Sequence, residues 1–292
     1  MLPERLRILT MPNTREQFTA LVAAGSRCDL DHAALEIARI AYPDLDPRPY
    51  LARIEAYADT LRTRIGQTLP PHQATLEVAR YLFEELEFRG NSDDYYDPRN
   101  SFLNDVLDRR TGIPIALSVL LLSVTARLGL PAHGVGFPGH FLVRVDAPNG
   151  PLILDPFSGG RTLRRDELLA RLRAFSEAGG GQPGSDLQRV LPQALQPTGT
   201  LEILGRMLGN LLSIYLERED NEAALMAVDL LLIVAPDAPE PTRLRGLLYE
   251  RLECYASALG DLRRYLTLAP SGPLAAEVRT RILELEEHGA LH

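Results

Sequence analysis

Two side chains near the middle of the chain are of the types that move protons. His140 heads one short apolar segment, His140–Val145, and Asp155 ends the next, Leu152–Asp155. The stretch between them is rich in Pro, Asn and Gly, so the two segments read as a β-hairpin. A carboxylate facing an imidazole holds one tautomer and orients the ring, which is what a histidine needs to act as a general base. Two registers satisfy the sequence. A two-residue Asn149-Gly150 turn sets Arg144 opposite Asp155. A four-residue loop over Asp146–Asn149 sets His140 there instead. Both leave His140, Leu142 and Arg144 on the face that carries Asp155, because a shift of two residues preserves the face. Only the second gives direct cross-strand contact, about 5 Å between Cβ atoms. A buried structural His–Asp hydrogen bond reads equally well from the same residues.

A base needs a nucleophile or a metal to serve. Ser118 lies one helical turn beyond Pro114 and shares its face, yet a mid-helix serine usually packs, and no elbow sequence surrounds this one. Cys28 precedes an N-terminal helix and Cys254 falls in a C-terminal one. A metal on His133, His140 and Asp155 would lack a recognised ligand spacing. Asp93, Asp94 and Asp97 lack the central glycine and the distal glutamate of a calcium loop. No metal and no cofactor is expected.

The elements that position these residues start with a helix opened by Pro114, a residue suited to the first helical position. Ile115, Leu117, Leu120, Leu121, Leu122, Val124 and Leu128 lie all round it, so it is a buried helix, and Gly129 with Pro131 ends it. Ahead of it residues 13–88 read as helices, one of them striped by Leu51, Ile54, Ala58, Leu61 and Ile65. Thr68–Pro71 breaks the pattern. The polar loop Gly90–Asn100 carries Tyr95 and Tyr96, and a short helix, Ser101–Arg110, follows. Thr162–Phe175 reads as one further helix, Ala178–Ser185 as a flexible excursion, and Leu191–Gly199 as a boundary.

Buried helix followed by hairpin, with His140 on one strand and Asp155 on the other, resembles the papain-like core of the transglutaminase-like superfamily. The narrower match is to the SirB-type family, whose domain is called transglutaminase core 2. It is carried by YYDPRNSFLNDVLDRRTGIPI at 95–115, by GVGFPGHFLVR and by LDPF, and it reaches the N-terminal DLDHAALEIARIAYPDLDP and the C-terminal RMLGNLLSIY. The resemblance puts His140 and Asp155 on the histidine and aspartate of a catalytic triad and favours the four-residue register. It puts the cysteine position on Pro114, which has no nucleophile. It also implies that an amide ahead of the central helix, Asn100 or Asn104, stands where an oxyanion is bound. The plainer alternative is that both cap helices and pair with Asp97 or Asp105. Arg110, Arg144 and Tyr95 complete the candidate binding residues.

The C-terminal part repeats. IYLEREDNEAALMAVDLLLIVAP, ending at Pro236, aligns with LYERLECYASALGDLRRYLTLAP, ending at Pro270, at an offset of 34 residues. That period resembles tetratricopeptide repeats, with Glu277–Glu287 as a capping helix. Two repeats are few to stand alone.

Composition narrows the function classes. The chain has 292 residues and a net charge of −8, which argues against a nucleic-acid surface. Its two distant cysteines make no disulfide framework and suit the reducing cytoplasm. MLPERLRILTMPNTREQ has no apolar run long enough for a leader, and no window suits a membrane span. The expectation is a mostly helical α+β protein with a helical N-terminal subdomain (1–90), a papain/transglutaminase-like core (91–190) and a tetratricopeptide-like tail (191–292). A non-catalytic role is expected, as a protein-binding or regulatory module that takes another protein or peptide through the groove or the tail. The alternative is a hydrolase or transferase of altered chemistry using His140 and Asp155. An active cysteine enzyme is disfavoured by Pro114.

Overall fold

The computed structural model describes residues 12–66, 69–180 and 186–289. The amino-terminal stretch scanned for a leader lies outside them up to residue 11, as do Thr68 of the helix break and residues 181–185 of the excursion. In chain order come α1 (Pro12–Val22), α2 (Leu30–Ile37), α3 (Arg48–Ile65) and α4 (Pro71–Arg80). A π-turn, Tyr81–Glu85, extends α4. Then follow β1 (Arg89–Gly90), α5 (Leu103–Arg109), β2 (Thr111–Gly112), α6 (Pro114–Arg127), β3 (Ala132–Val135), β4 (Leu142–Val145), β5 (Leu152–Asp155), β6 (Arg161–Leu163) and α7 (Arg165–Phe175). The chain ends with α8 (Leu187–Ala194), α9 (Thr200–Glu217), α10 (Asn221–Val234), α11 (Pro239–Arg251), α12 (Tyr255–Leu268) and α13 (Ala275–Gly289). The fold class is α+β and mostly helical, with small sheets.

Two units divide these elements. One is Asp29–Leu35 with Asp46–Ile203; the other is Met1–Cys28, Glu36–Leu45 and Leu204–His292.

The first unit is built around α6. Every residue from Pro114 to Thr125 is buried, which is the all-round burial that its apolar composition requires. Gly129 ends it at φ +66°, and the Leu130 N–H reaches back to the Thr125 carbonyl at 3.0 Å. That is the Schellman closure, which needs a left-handed residue and therefore favours glycine. An antiparallel sheet in the order β3-β4-β5-β6 accompanies the helix. Thr198 covers the β3 edge: its N–H donates to the Gly134 carbonyl, and its hydroxyl accepts from the Gly136 N–H, both at 2.8 Å. Thr162 and Leu163, read as the start of a helix, belong to edge strand β6 instead, and α7 begins only at Arg165. Glu167 caps it by accepting from the Arg164 N–H at 2.9 Å.

The β4–β5 register matches neither expectation. Arg144 lies opposite Ile153 and Val145 opposite Leu152, so the loop runs from Asp146 to Pro151 and continuation of the ladder would set Leu142 against Asp155. The cause is the pair of prolines. An Asn149-Gly150 turn would make Pro148 and Pro151 the first ladder pair, and neither has an N–H to give. The four-residue loop would leave Pro151 inside β5. The longer loop removes both, with its own turn closed by the Gly150 N–H on the Ala147 carbonyl at 3.0 Å. His140 therefore stands two residues before β4, in a turn after Gly139 at φ +67°.

In the second unit the 34-residue offset is copied in the backbone. α10 and α12 are both 14 residues long and stop just before Ala235-Pro236 and Ala269-Pro270. Helices α9 and α11 close with the same motif. Glu219 and Glu253 take φ +58° and +59°, while Asp220 and Cys254 donate to the carbonyls of Tyr215 and Tyr249 at 2.9 and 2.8 Å. Arg245 on α11 ties the array together, bonding Asp229 on α10 at 2.7 Å and Asp261 on α12 at 2.6 and 2.8 Å.

Candidate functional site

His140 and Asp155 meet despite the shifted register. The imidazole Nε2 lies 2.9 Å from Asp155 Oδ1. The diagonal of an antiparallel pair spans about 7–8 Å, a gap that an imidazole bridges. With its proton on Nε2 facing the carboxylate, the ring carries its lone pair on Nδ1. Asp155 is fully buried, whereas the His140 side chain keeps 16% exposure, so the pair is presented from its histidine end.

The carboxylate has further partners. The Ser158 hydroxyl donates to Oδ2 at 2.8 Å and its N–H to Oδ1 at 3.3 Å. Arg171, on α7, donates from Nη2 to Oδ2 at 2.7 Å. Burial alone would raise the Asp155 carboxyl; the bonds from His140, Ser158 and Arg171 overcome it and hold the carboxyl well below the usual carboxylate range. Arg171 and Ser158 were absent from the sequence reading. LDPF and a helix over Thr162–Phe175 can both be read from the sequence, but nothing in it says which helix face meets β5.

Asn100 is fully buried and its side chain is engaged within the chain. It donates to the Asp94 carbonyl at 2.7 Å and accepts from Asn91 at 3.2 Å and Arg109 at 3.4 Å. Its own carbonyl accepts the Ile113 N–H at 3.0 Å, which ties the Asn91–Asn100 loop to the start of α6. Asn104 is buried on α5, and its Oδ1 has no hydrogen-bond partner among the described residues. Among the described residues the Asn100 side chain does not pair with Asp97. Asp97 instead binds Arg99 and Arg109.

Aromatic rings connect the loop to the pair. Tyr95 stacks edge-on with Tyr96 at 5.3 Å and with Phe157 at 6.0 Å, and Phe157 with His140 at 6.0 Å. Gly90 permits this approach, since a Cβ there would lie 2.6 Å from both the Phe157 ring and its carbonyl. Arg144 is not part of the cluster: it bonds Asp146 at 2.9–3.0 Å and the Leu195 carbonyl at 3.3 Å. Arg110, left-handed at φ +54°, is an exposed helix cap. Pro114 is buried as the first residue of α6, and Ser118 donates to its carbonyl at 2.8 Å.

Residues 48–209 match the transglutaminase-like superfamily. The chain belongs to that superfamily. A "UPF0162 protein" of Xylella fastidiosa is 44% identical over 86% of this chain and 88% of its own length. Another, from Vibrio cholerae, is 34% identical over 70% and 72%. "Protein SirB1" of Salmonella typhimurium is 28% identical over 87% and 91%, which places the chain with the SirB-type members of the superfamily. No solved structure matches. Residues 211–282 match a tetratricopeptide repeat, an architecture that generally mediates protein–protein interaction, so the two domains of this superfamily member support a protein-interaction module. Among the described residues no helix is long and apolar enough to cross a membrane.

Proposed function

We propose that this transglutaminase-like protein is a non-catalytic binding or regulatory module, with Pro114 in the place of the nucleophilic cysteine. What carries the reading is Pro114, a residue without a nucleophile, at the helix start that the resemblance gives to the cysteine. Neither cysteine of the chain falls between residues 46 and 203, the stretch that holds His140, Asp155 and Pro114. Ser118 does not replace them, because it is fully buried and spends its hydroxyl proton on its own helix. Asp155 is also matched by Arg171, so its charge is not held in reserve for an imidazolium. In this reading His140, Tyr95 and Phe157 present a surface to another protein or peptide, and the helical repeats offer a second one. The protein acts in the cytoplasm, where buried thiols stay reduced.

The test pairs two measurements on the full chain. Co-purification from the source cell should recover a stable protein partner. Incubation with peptide amides, esters and a glutamine–amine transfer pair should give no product above buffer. Turnover that His140→Ala abolishes would overturn the reading in favour of a hydrolase or transferase built on His140 and Asp155.

A further inference from the structure

The two repeats differ at positions where α10 and α12 should be equivalent. On α12 the buried residues are Ala258, Asp261, Leu262 and Tyr265, while Arg263 and Arg264 are exposed. The 34-residue offset puts Asp229 and Leu230 of α10 at the places of those two arginines, and both are buried. Ile233 likewise stands where α12 has the exposed Thr267. α10 is therefore apolar nearly all round and needs a cover that α12 does not. α1 supplies it, packing on α10 within the same unit beside the Ala38–Ile40 turn.

That cover is lightly held. Among the described side chains of α1, Thr14, Phe18 and Val22 are buried, a single stripe at four-residue spacing. A helix of 11 residues is marginal in water by itself, so α1 owes its helicity to this stripe. Arg15, half-exposed, reaches Asp229 at 3.5 Å, whereas Arg245 holds the same carboxylate at 2.7 Å. Asp229 thus stays paired when α1 leaves. Arg245 also serves Asp261, so the two carboxylates still favour a second cation. In the turn that leads out of α1, Gly25 takes φ +59° and has open space where a Cβ would lie. A segment with few buried apolar contacts opens before the fold as a whole.

We propose that α1 is a displaceable cover on the helical repeats, and that a partner protein takes its place on α10 with an amphipathic helix of the same chemistry. Such a helix carries large apolar side chains four residues apart and a basic residue one turn ahead of them, to meet Asp229. The proposal rests on the protein-binding reading above and assigns the repeat surface through which it works.

The probe is a fluorescein-labelled peptide of the sequence Asn13–Ala24, with a Phe18→Ala version beside it, titrated by anisotropy into the full chain and into its Arg15→Glu and Phe18→Ala variants. In the native chain α1 competes with the probe. Loosening α1 raises the open fraction and should tighten probe binding, about threefold or more for Arg15→Glu and about tenfold or more for Phe18→Ala. The Phe18→Ala peptide should not bind. Circular dichroism checks folding, and Arg15→Glu, which alters a half-exposed side chain, carries the test if Phe18→Ala does not fold. Hydrogen exchange of the native chain should release the α1 amides at least about tenfold faster than those of α10. Exchange of α1 no faster than that of α10, or a probe affinity that the folded variants leave unchanged, makes α1 a fixed brace and overturns the proposal. A dimer of the native chain that the probe dissociates would give the face to the α1 of a second copy and overturn it as well. If the proposal falls while a protein partner still co-purifies, the binding reading stands. Turnover of the peptide amides or esters described above would instead count against that reading.

Discussion

Replacing Asp155 by asparagine keeps the shape of the side chain and removes its charge. The native carboxylate accepts from His140 Nε2, from the Ser158 hydroxyl and N–H, and from Arg171. An amide has a single oxygen for these donors and turns an NH2 toward the others, so at least one buried donor loses its partner. Arg171 also loses its counter-charge. Hydrogen bonds to charged groups contribute about 1.5–3 kcal/mol each, and breaking a buried ion pair costs about 3–5 kcal/mol. The Arg171 side chain is 30% exposed and water recovers part of that loss, so the expected destabilisation is about 2–4 kcal/mol at neutral pH. At about 2–4 °C per kcal/mol, the melting temperature should fall by about 4–16 °C. The pH dependence has a definite sign. The folded carboxyl is held below its ordinary value, so the unfolded chain binds the proton more readily. The contribution is complete above the unfolded value of about 3.9 and fades as pH falls from there toward the folded value. Denaturant unfolding of both proteins between pH 3 and 7 should give curves that are parallel near neutrality and converge in acid. A difference below about 1 kcal/mol at pH 7, the worth of an exposed pair, or one that does not shrink in acid, would refute the reasoning.

Arg245→Ala should cost about 3–5 kcal/mol in urea unfolding, because it strands the nearly buried Asp261 and leaves Asp229 only the looser pair with Arg15 at 3.5 Å. Arg263→Ala, whose pair with Glu286 is exposed on both sides, should cost about 1 kcal/mol or less on the same assay. Glu219→Gly and Glu253→Gly each relieve a left-handed residue and should each stabilise by up to about 1 kcal/mol. Since the two sites are the same position of a repeat, their gains in melting temperature should be alike, and opposite signs would break the equivalence.

Much of the fold was legible because the signals were local. α6 could be read from apolar residues on every side with proline and glycine at its ends, and the helical pairs from a 34-residue echo in which Ala-Pro recurs. The repeat extends further than the matching letters. Asp220 and Cys254 differ in chemistry yet close the same turn, because the motif is made by backbone groups and by the left-handed residue before them. β6 was missed for the opposite reason. Arg161 and Thr162 are exposed on an edge strand, so they carry no inward alternation, and their polarity resembles the first turn of the helix that follows.

The hairpin shows how a readable signal was overridden by a stronger one. Asn-Gly is a favourable two-residue turn in isolation, but a turn is only as good as the pair that closes it. Pro148 and Pro151 flank that dipeptide, and two residues without an N–H cannot make a closing pair. Weighing the prolines first would have selected the six-residue loop from the sequence. Face parity survived because every candidate register differs by two residues, which is why His140 and Asp155 could be expected together while their register was not. Arg171 was beyond reach in another way. Its contact with Asp155 depends on how α7 crosses the sheet, a relation between elements that no periodicity encodes, and it is the contact that most distinguishes this pair from one in which aspartate serves histidine alone.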